Sequence, residues 1–146
     1  MDVFDRILRV NLRAAVVLCD ALVPKMAERG YGRVVNVTSI FSQVSKSGRA
    51  SYATSKFALF GFTRTMALDF APRGVLANCI GPGFIETEMT QRMLGEAGIR
   101  EMIATVPLGR LGQPEEVARF TAFLASPLNT FLTGQNIILD GGFTST

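Results

Sequence analysis

Hydrophobic residues recur every three to four positions over the first part of the chain, which is the spacing of one face of an α-helix. The members of this apolar stripe are Phe4, Ile7, Leu8, Leu12, Ala15, Val16, Cys19 and Leu22. The pattern predicts a helix from Asp2, a suitable N-cap, to about Glu28, and Gly30 and Gly32 mark its end.

Three later segments also have the features of helices, and each has its own boundary signals. The first of them ends at Pro72-Arg73-Gly74, and the last begins with a proline followed by two acidic residues. The predicted limits are residue 51 to about 71, residue 88 to about 105 in a less regular stretch, and residue 114 to about 125.

Segments rich in β-branched and apolar residues alternate with these helices and predict strands at 33–39, 75–80 and 135–139. Gly81-Pro82-Gly83 and Asp140-Gly141-Gly142 have the composition of turns. This alternation predicts an α/β fold, a doubly wound, Rossmann-like parallel sheet with right-handed crossovers. No linker or internal repeat divides the chain, so we expect residues 1–146 to form a single domain.

The composition excludes several classes of protein. Hydrophobic residues make up 48% of the 146 positions and charged residues 18%, which is incompatible with a disordered chain. The net charge is +3 and the basic residues are scattered, so no nucleic-acid partner is indicated. No apolar stretch has the length of a membrane span and no basic signal region opens the chain, so we expect a cytoplasmic protein with no membrane partner.

Residues that commonly hold metals are scarce. The chain has no histidine, and its two cysteines, Cys19 and Cys79, lie far apart in apolar segments. Triads that depend on histidine and His-ligated metals are therefore excluded, and neither a disulfide framework nor a zinc site is indicated.

The spacing with chemical content is Tyr52-Ala53-Thr54-Ser55-Lys56, which places a phenol and an ammonium on one face of the second predicted helix. A free tyrosine loses its proton only near pH 10, and a cation about 4 Å away in a partly buried site favours the phenolate by up to ~4 kcal/mol. Taken alone, such a pair is more often a surface pair or a lysine whose stem lies along the helix.

The surroundings of this pair favour a functional interpretation. Ser39 ends the preceding predicted strand, at the carboxyl edge where ligands bind in open α/β sheets, and residues 82–90 follow the next strand at the same edge. Asn11 interrupts an apolar helical run. Each also has a structural explanation: Asn11 as a polar residue that kinks its helix, Ser39 as a cap at the strand end, and Thr87 as a helix N-cap.

In this order and spacing, the chain resembles the short-chain dehydrogenase/reductase family over essentially its whole length. The segments that carry the resemblance are Val10-Asn11-Leu12, Val35-Asn36-Val37-Thr38-Ser39, Tyr52-Ala53-Thr54-Ser55-Lys56, Pro82-Gly83-Phe84-Ile85-Glu86-Thr87, Pro107-Leu108-Gly109-Arg110 and Asp140-Gly141-Gly142. The runs that begin at Gly83 and Leu108 are most similar to the 3-oxoacyl-[acyl-carrier-protein] reductase branch, but they recur in other branches, so the substrate stays open.

The resemblance implies an NAD(P)-dependent oxidoreductase that reduces a carbonyl or oxidises an alcohol, with a 3-oxoacyl thioester as one candidate substrate. It implies that Tyr52 exchanges a proton with the substrate oxygen and that Ser39 hydrogen-bonds the same oxygen. Lys56 then favours the tyrosinate and holds the nicotinamide ribose, and Asn11 anchors a water that links Lys56 to solvent. The implied cofactor-binding residues are Tyr52, Lys56, Pro82, Gly83, Ile85 and Thr87.

One part of the family pattern is absent from the sequence. A dinucleotide fold opens with a strand, a Gly-rich turn and a helix whose N-terminus holds the pyrophosphate. No such turn occurs here, so we expect a truncated Rossmann-like fold that lacks its N-terminal βαβ half and binds NAD(P) weakly by itself. The strand at 33–39 then has an apolar edge, and with the helix faces that pair in this family it predicts a homo-oligomer, a dimer or a tetramer.

These observations leave three interpretations open. The chain is a reductase whose nucleotide-binding half comes from another polypeptide or from its own oligomer, or it is a catalytically silent relative that serves as a structural or interaction subunit. The retained Asn, Ser, Tyr and Lys favour the first, and the missing phosphate cradle favours the second. A sequence cut short by truncation is the third.

Overall fold

The alternation of helices and strands predicted from the sequence is present in the computed structural model, which describes residues 2–145. The helices and strands of these residues are α1 (Asp2–Leu8), α2 (Ala14–Glu28), β1 (Gly32–Val37), α3 (Ala50–Phe70), β2 (Val75–Pro82), α4 (Glu88–Ile103), α5 (Pro114–Ala125) and β3 (Asn136–Leu139). Short 3₁₀ turns lie at Ile40–Ser42, Ala71–Arg73 and Phe143–Ser145, and a π-turn lies at Arg9–Arg13.

The three described strands form one parallel sheet in the order β1-β2-β3. Gly32 pairs with Val75 at one end of the β1-β2 ladder and Val37 with Ile80 at the other, and Cys79 begins the shorter β2-β3 ladder opposite Asn136. Parallel neighbours need a crossover, and α3 and the α4-α5 segment supply the two crossovers here. The predicted α/β, Rossmann-like fold class is therefore confirmed.

Helices cover the sheet on both faces because side chains of a strand alternate between faces. On one face α2 and α3 pack against β2 and bury Val23, Met66 and Ala77 in a common core. On the other face α5 packs against β1, and Arg33 donates from Nε to the main-chain oxygen of Asn129, just beyond α5, at 3.1 Å. Between residues 2 and 145, β1 has a neighbouring strand on its β2 side alone.

The predicted helix over residues 2–28 is continuous but not regular. A five-residue π-turn, Arg9–Arg13, joins α1 to α2 without a break. Asn11 lies at the centre of this turn, and π-turns inside α-helices occur frequently at functional sites. Asp2, predicted as the N-cap, is instead the first residue of α1.

Two predicted boundaries at the carboxyl edge of the sheet were wrong. β1 ends at Val37, and Ser39, predicted as the end of this strand, is the N-cap of the Ile40–Ser42 turn. Gly81 and Pro82, predicted as part of a turn, are the last two residues of β2. Proline is tolerated there because a terminal strand position loses little of the hydrogen-bond ladder.

A glycine makes the close contact between the ends of α2 and α3 possible. Gly74 has a φ of +78°, and a Cβ at this position would lie 2.1 Å from the main-chain oxygen of Gly30. No other residue type fits this turn without moving the backbone.

The longest described helix, α3, has 21 residues and carries polar groups on its buried face. Ser55 and Thr63 are both fully buried, and their hydroxyls donate to the main-chain oxygens of Tyr52 and Leu59 at 2.7 Å. Within residues 2–145, neither this helix nor any other combines the length and the apolar character that a bilayer crossing requires.

Candidate active site

Tyr52 and Lys56 lie side by side on the first turns of α3. The Lys56 Nζ is 5.6 Å from the centre of the Tyr52 ring. The same nitrogen donates to the main-chain oxygen of Val37, the last residue of β1, at 2.9 Å. Because this bond ties the ammonium to the carboxyl end of a strand, the lysine is held at the edge of the sheet rather than extended into solvent.

Burial shifts the pKa values of Lys56 and Cys79. Partial burial of the ammonium lowers the pKa of Lys56 from its ordinary value, and the charge on a Cys79 thiolate would act in the opposite direction. Burial raises the pKa of Cys79 itself to about 11, so this thiol stays protonated and neutral near pH 7. No fixed anion at Cys79 therefore neutralises Lys56 at that pH, which leaves its charge available to a phenolate or a ligand.

Ser39 is buried, with 7% of its surface exposed, and both its side chain and its main chain accept hydrogen bonds. Its Oγ accepts from the Phe41 amide at 3.3 Å, and its carbonyl oxygen accepts from the Ser42 hydroxyl. The Ser42 Oγ in turn accepts from the Asn136 side chain of β3 at 2.9 Å. Ser39 thus acts as a cap, which is the structural role considered for it from the sequence. Its hydroxyl proton is not used in these bonds and can be donated to an acceptor in the adjoining cleft.

Asn11 reaches the Tyr-Lys pair through a residue that we did not identify from the sequence. Its Nδ2 donates to the Ser55 Oγ at 3.1 Å, and the Ser55 Oγ donates to the main-chain oxygen of Tyr52 at 2.7 Å. Asn11 is therefore connected to α3 between Tyr52 and Lys56 and makes no direct bond to either side chain in the described structure. The spacing of Ser55, three residues after Tyr52, was the available sequence signal.

Ser39, Tyr52 and Ile85 line one cleft of about 260 Å³ at the carboxyl edge of the sheet. Its apolar wall includes Phe41, whose ring packs edge-on against that of Tyr52 with 6.0 Å between centroids. The other residues of this wall are Ile40, Phe84, Met89, Met93, Leu94 and Met102. A serine hydroxyl and a phenol that face one small apolar space are the arrangement needed to bind and protonate a single substrate oxygen.

The segment from Gly83 to Thr87 forms the side of this cleft between β2 and α4. A Cβ on Gly83 would lie 2.7 Å from the Asp140 Cα, so glycine allows this backbone to approach the end of β3. Thr87 is the N-cap of α4, and its Oγ1 accepts from the Thr90 amide at 3.2 Å. The N-cap interpretation of Thr87 therefore holds, and its cofactor-binding role, like those of Pro82, Gly83 and Ile85, stays a prediction.

A second loop holds this segment in place. Gly112 exchanges two main-chain hydrogen bonds with it, donating to the Phe84 oxygen at 2.9 Å and accepting from the Glu86 amide at 2.8 Å. The loop is closed by a bidentate ion pair, in which Arg110 donates to both carboxylate oxygens of Glu116 at 2.7 and 2.8 Å. We call residues 110–116 the support loop. Leu108-Gly109-Arg110 and Pro114-Glu115-Glu116 contributed to the family resemblance. Their part in holding the 83–87 segment in place was not apparent from the sequence.

Removal of the Glu116 charge is expected to lower the melting temperature in a pH-dependent way. Hydrogen bonds from Arg110 and the Gln113 amide lower the pKa of Glu116 from 4.5 to about 2. A carboxyl group with a lowered folded-state pKa stabilises the fold above the unfolded value, and the contribution is lost as the pH falls towards the folded value. The difference in melting temperature between wild type and Glu116→Gln should be largest near pH 7 and should shrink between pH 4.5 and 2.

Glu115→Gln is the matched control, because Glu115 lies in the same first turn of α5 and has no part in the Arg110 ion pair. It removes the same charge from the helix N-terminus. An equal loss of melting temperature in both variants would show that the helix end, not the support loop, accounts for the effect.

Comparison with known proteins assigns the chain to a family. Residues 1–144 match the family model described as enoyl-(acyl carrier protein) reductase, and the chain belongs to the short-chain dehydrogenase/reductase family. Within that family it is similar to 3-oxoacyl-[acyl-carrier-protein] reductases, with 36% identity over 143 residues to that of Chlamydia pneumoniae and 40% over 139 residues to that of Aquifex aeolicus. The resemblance stated from the motifs is thereby confirmed.

The chain spans a little more than half the length of these relatives. The alignments cover 98% and 95% of this chain but 57% and 56% of the two reductases. The structure is also similar to that of a gluconate 5-dehydrogenase from Burkholderia cenocepacia, in complex with NADP and tartrate, with a TM-score of 0.93 and 35% identity. That match covers 99% of this chain and 57% of the dehydrogenase.

Proposed function

We propose that this chain forms the substrate side of the active site of an NAD(P)-dependent reductase, in which Tyr52 exchanges a proton with a carbonyl or alcohol oxygen. The observation that carries the proposal is the shared cleft of Ser39 and Tyr52, with the Lys56 ammonium beside the Tyr52 ring. The membership of the oxidoreductase family supports the same reaction type.

The residues beside the cleft fit the nicotinamide end of the cofactor. An ammonium has three N–H donors, and the hydrogen bond to the Val37 oxygen uses one of them, which leaves two for the hydroxyls of a ribose. Because Gly83 has no side chain, the backbone of residues 83–87 can pack close to Asp140 and form one wall of the site. On this wall, Ile85 and Thr87 would hold the carboxamide. The nicotinamide, when bound, supplies the hydride to the substrate carbon or accepts it.

In the direction of reduction, the Tyr52 hydroxyl donates its proton to the substrate oxygen as that oxygen gains negative charge. The Ser39 hydroxyl donates a hydrogen bond to the same oxygen, which stabilises the charge as it develops. Lys56 stabilises the resulting tyrosinate because its cation is held close to the ring. In alcohol oxidation the tyrosinate takes the proton back.

Asn11 serves the return of the proton in this proposal. Asn11 is hydrogen-bonded to Ser55, which in turn is bonded to the main chain of Tyr52. These two bonds hold the π-turn against the first turns of α3. A water anchored at Asn11 would then connect Lys56 to solvent, so that the proton is replaced after each cycle.

A 3-oxoacyl thioester is the substrate that we propose to test first. The apolar wall with Phe41, Phe84 and three methionines suits an acyl chain, and the curated relatives are named as reductases of this substrate class. The measurement is the oxidation of NADPH and of NADH in the presence of acetoacetyl-coenzyme A, with identification of the 3-hydroxyacyl product. A protein that oxidises neither cofactor with this thioester or with a simple ketone would contradict the proposal.

A second candidate function is that of an oligomeric interaction subunit without catalysis. The observation that favours it is a series of exposed apolar side chains on α1, the π-turn, α2 and α3, namely Val3, Val10, Val17, Leu18, Leu22, Phe57 and Leu68.

Both candidate functions include a homo-oligomer, which sedimentation should detect. A single monomeric species would overturn the prediction of an oligomer. Binding of NADPH or NADH distinguishes the two candidates. The cytoplasmic location stays a prediction.

A further inference from the structure

We infer that Arg49 gives the cleft a carboxylate-binding subsite, so that a free oxo acid, with a carboxylate a few bonds from its oxo group and an apolar chain beyond, binds there more tightly than the corresponding ester or thioester. The inference rests on the proposed function, because the position of the oxo group is taken from Ser39 and Tyr52. It goes beyond that function in assigning a charge and a shape to the substrate.

Arg49 lies directly before α3, on the turn that also presents Tyr52. Its carbonyl oxygen accepts the Ala53 amide at 2.8 Å, which is the first hydrogen bond of the helix. Residues three apart on a helical turn have Cβ atoms roughly 5–6 Å apart, so the guanidinium and the phenol start from neighbouring points. Arg49 and Tyr52 both line the cleft.

The charge of Arg49 is unbalanced within this space. Among the described residues that line the cleft, Arg49 is the charged one, and no aspartate or glutamate faces it there. Within residues 2–145 its guanidinium has no ion pair or hydrogen bond, in contrast to Arg110, which is paired with Glu116. A cation at the border of an apolar cleft, without an internal partner, is available for an anionic group of a ligand.

The geometry of a guanidinium favours a carboxylate as that group. Its planar fork matches the two oxygens of a carboxylate in a bidentate pair, as Arg110 and Glu116 show elsewhere in this chain. One arginine suffices for a carboxylate of single charge, whereas a phosphate dianion presents more charge and a third oxygen. The subsite therefore fits an organic acid.

The methionine side chains that line the cleft fit the rest of such a substrate. Met89, Met93 and Met102 of α4 line it, and unbranched methionine side chains adapt to apolar chains of different length. A bound oxo acid would thus place its carboxylate at Arg49, its oxo group at Ser39 and Tyr52, and its apolar chain against the methionines. A thioester lacks the charge that Arg49 recognises, so the free acid should bind more tightly than its esters.

Methionine-methyl NMR can test this without turnover. The protein is labelled with ¹³C at its methionine methyl groups and titrated with 3-hydroxyhexanoate and, separately, with methyl 3-hydroxyhexanoate. The signals of Met89, Met93 and Met102 should shift, while those of Met26 and Met66, outside the cleft, should not. Arg49 is exposed, and an exposed ion pair contributes up to about 1 kcal/mol, so the acid should bind roughly 2- to 5-fold more tightly than the ester.

Arg49→Gln should remove this preference, so that acid and ester bind with similar affinity. Arg64→Gln is the matched control, since Arg64 is an exposed arginine within α3, about 22 Å from Arg49 along the helix axis at 1.5 Å per residue. Equal affinities in the wild type, a preference that survives in Arg49→Gln, or no shift of the three cleft methionines would each overturn the inference.

The NMR titration and the cofactor assay test different claims, so one claim can be wrong while the other stands. If acetoacetyl-coenzyme A is reduced but the acid shows no preference over the ester, the subsite is wrong and the reductase stands. If the acid binds through Arg49 but no oxo compound is reduced, the subsite stands and the proposed catalysis is wrong.

Discussion

Tyr52→Phe is expected to lower kcat by at least about 100-fold, because general acid–base groups typically contribute 10²- to 10⁴-fold to a rate. Phenylalanine keeps the ring that packs edge-on against Phe41 and lies beside Lys56, and removes only the hydroxyl. KM for the substrate should change much less than kcat, since the ring surface that contacts it is preserved. Initial rates of NADPH oxidation at several substrate concentrations separate the two constants.

The chain provides a control for this substitution in its other tyrosine. Tyr31 is exposed, and the Arg33 guanidinium lies 4.5 Å from the centre of its ring. Tyr31→Phe keeps that contact and should leave kcat unchanged. If Tyr52→Phe retained full kcat while binding the cofactor normally, another group would have to supply the proton.

Lys56→Met is expected to weaken NADPH and NADH binding by roughly 10- to 100-fold, the loss of one charge-assisted contact. Methionine keeps much of the length of the side chain without the ammonium. Fluorescence of the reduced nicotinamide measures the binding directly, since the chain contains no tryptophan.

Lys46→Met tests whether the loss of any nearby positive charge has this effect. Lys46 is exposed in the loop before α3 and lies outside the cleft. It should leave cofactor affinity unchanged, whereas Lys56→Arg should restore part of the affinity. Cofactor binding that is insensitive to Lys56→Met would remove this residue from the proposed site.

The elements of the fold were predictable because each carries a local signal. Pro114 followed by two glutamates marked the start of α5, and the structure places that helix at Pro114–Ala125 as predicted. The errors occur where tertiary contacts decide. Gly81 and Pro82 look like a turn in composition but are paired with Ile138 and Leu139 of β3, which lie more than fifty residues away in the chain.

The candidate site was predictable in part for the same reason. Tyr52 and Lys56 share a helix face, so their proximity follows from spacing. The bond of Lys56 to the Val37 oxygen and that of Asn11 to Ser55 join residues 19 and 44 positions apart, and no local pattern indicates them. The support loop was not predictable for the same reason, because the contact of Gly112 with Phe84 depends on how the α4-α5 connection folds back.

Because Asn11 lies in the π-turn Arg9–Arg13, its position relative to α3 depends on the number of residues in that turn as well as on their identity. A π-turn is an α-helix with one residue inserted, so a single-residue deletion there would restore the regular helix. Such a deletion would rotate α1 by about 100° relative to α2, at 3.6 residues per turn. Among relatives, the loss of the Asn11–Ser55 contact would therefore be recorded as a gap in a sequence alignment even where every side chain involved is retained.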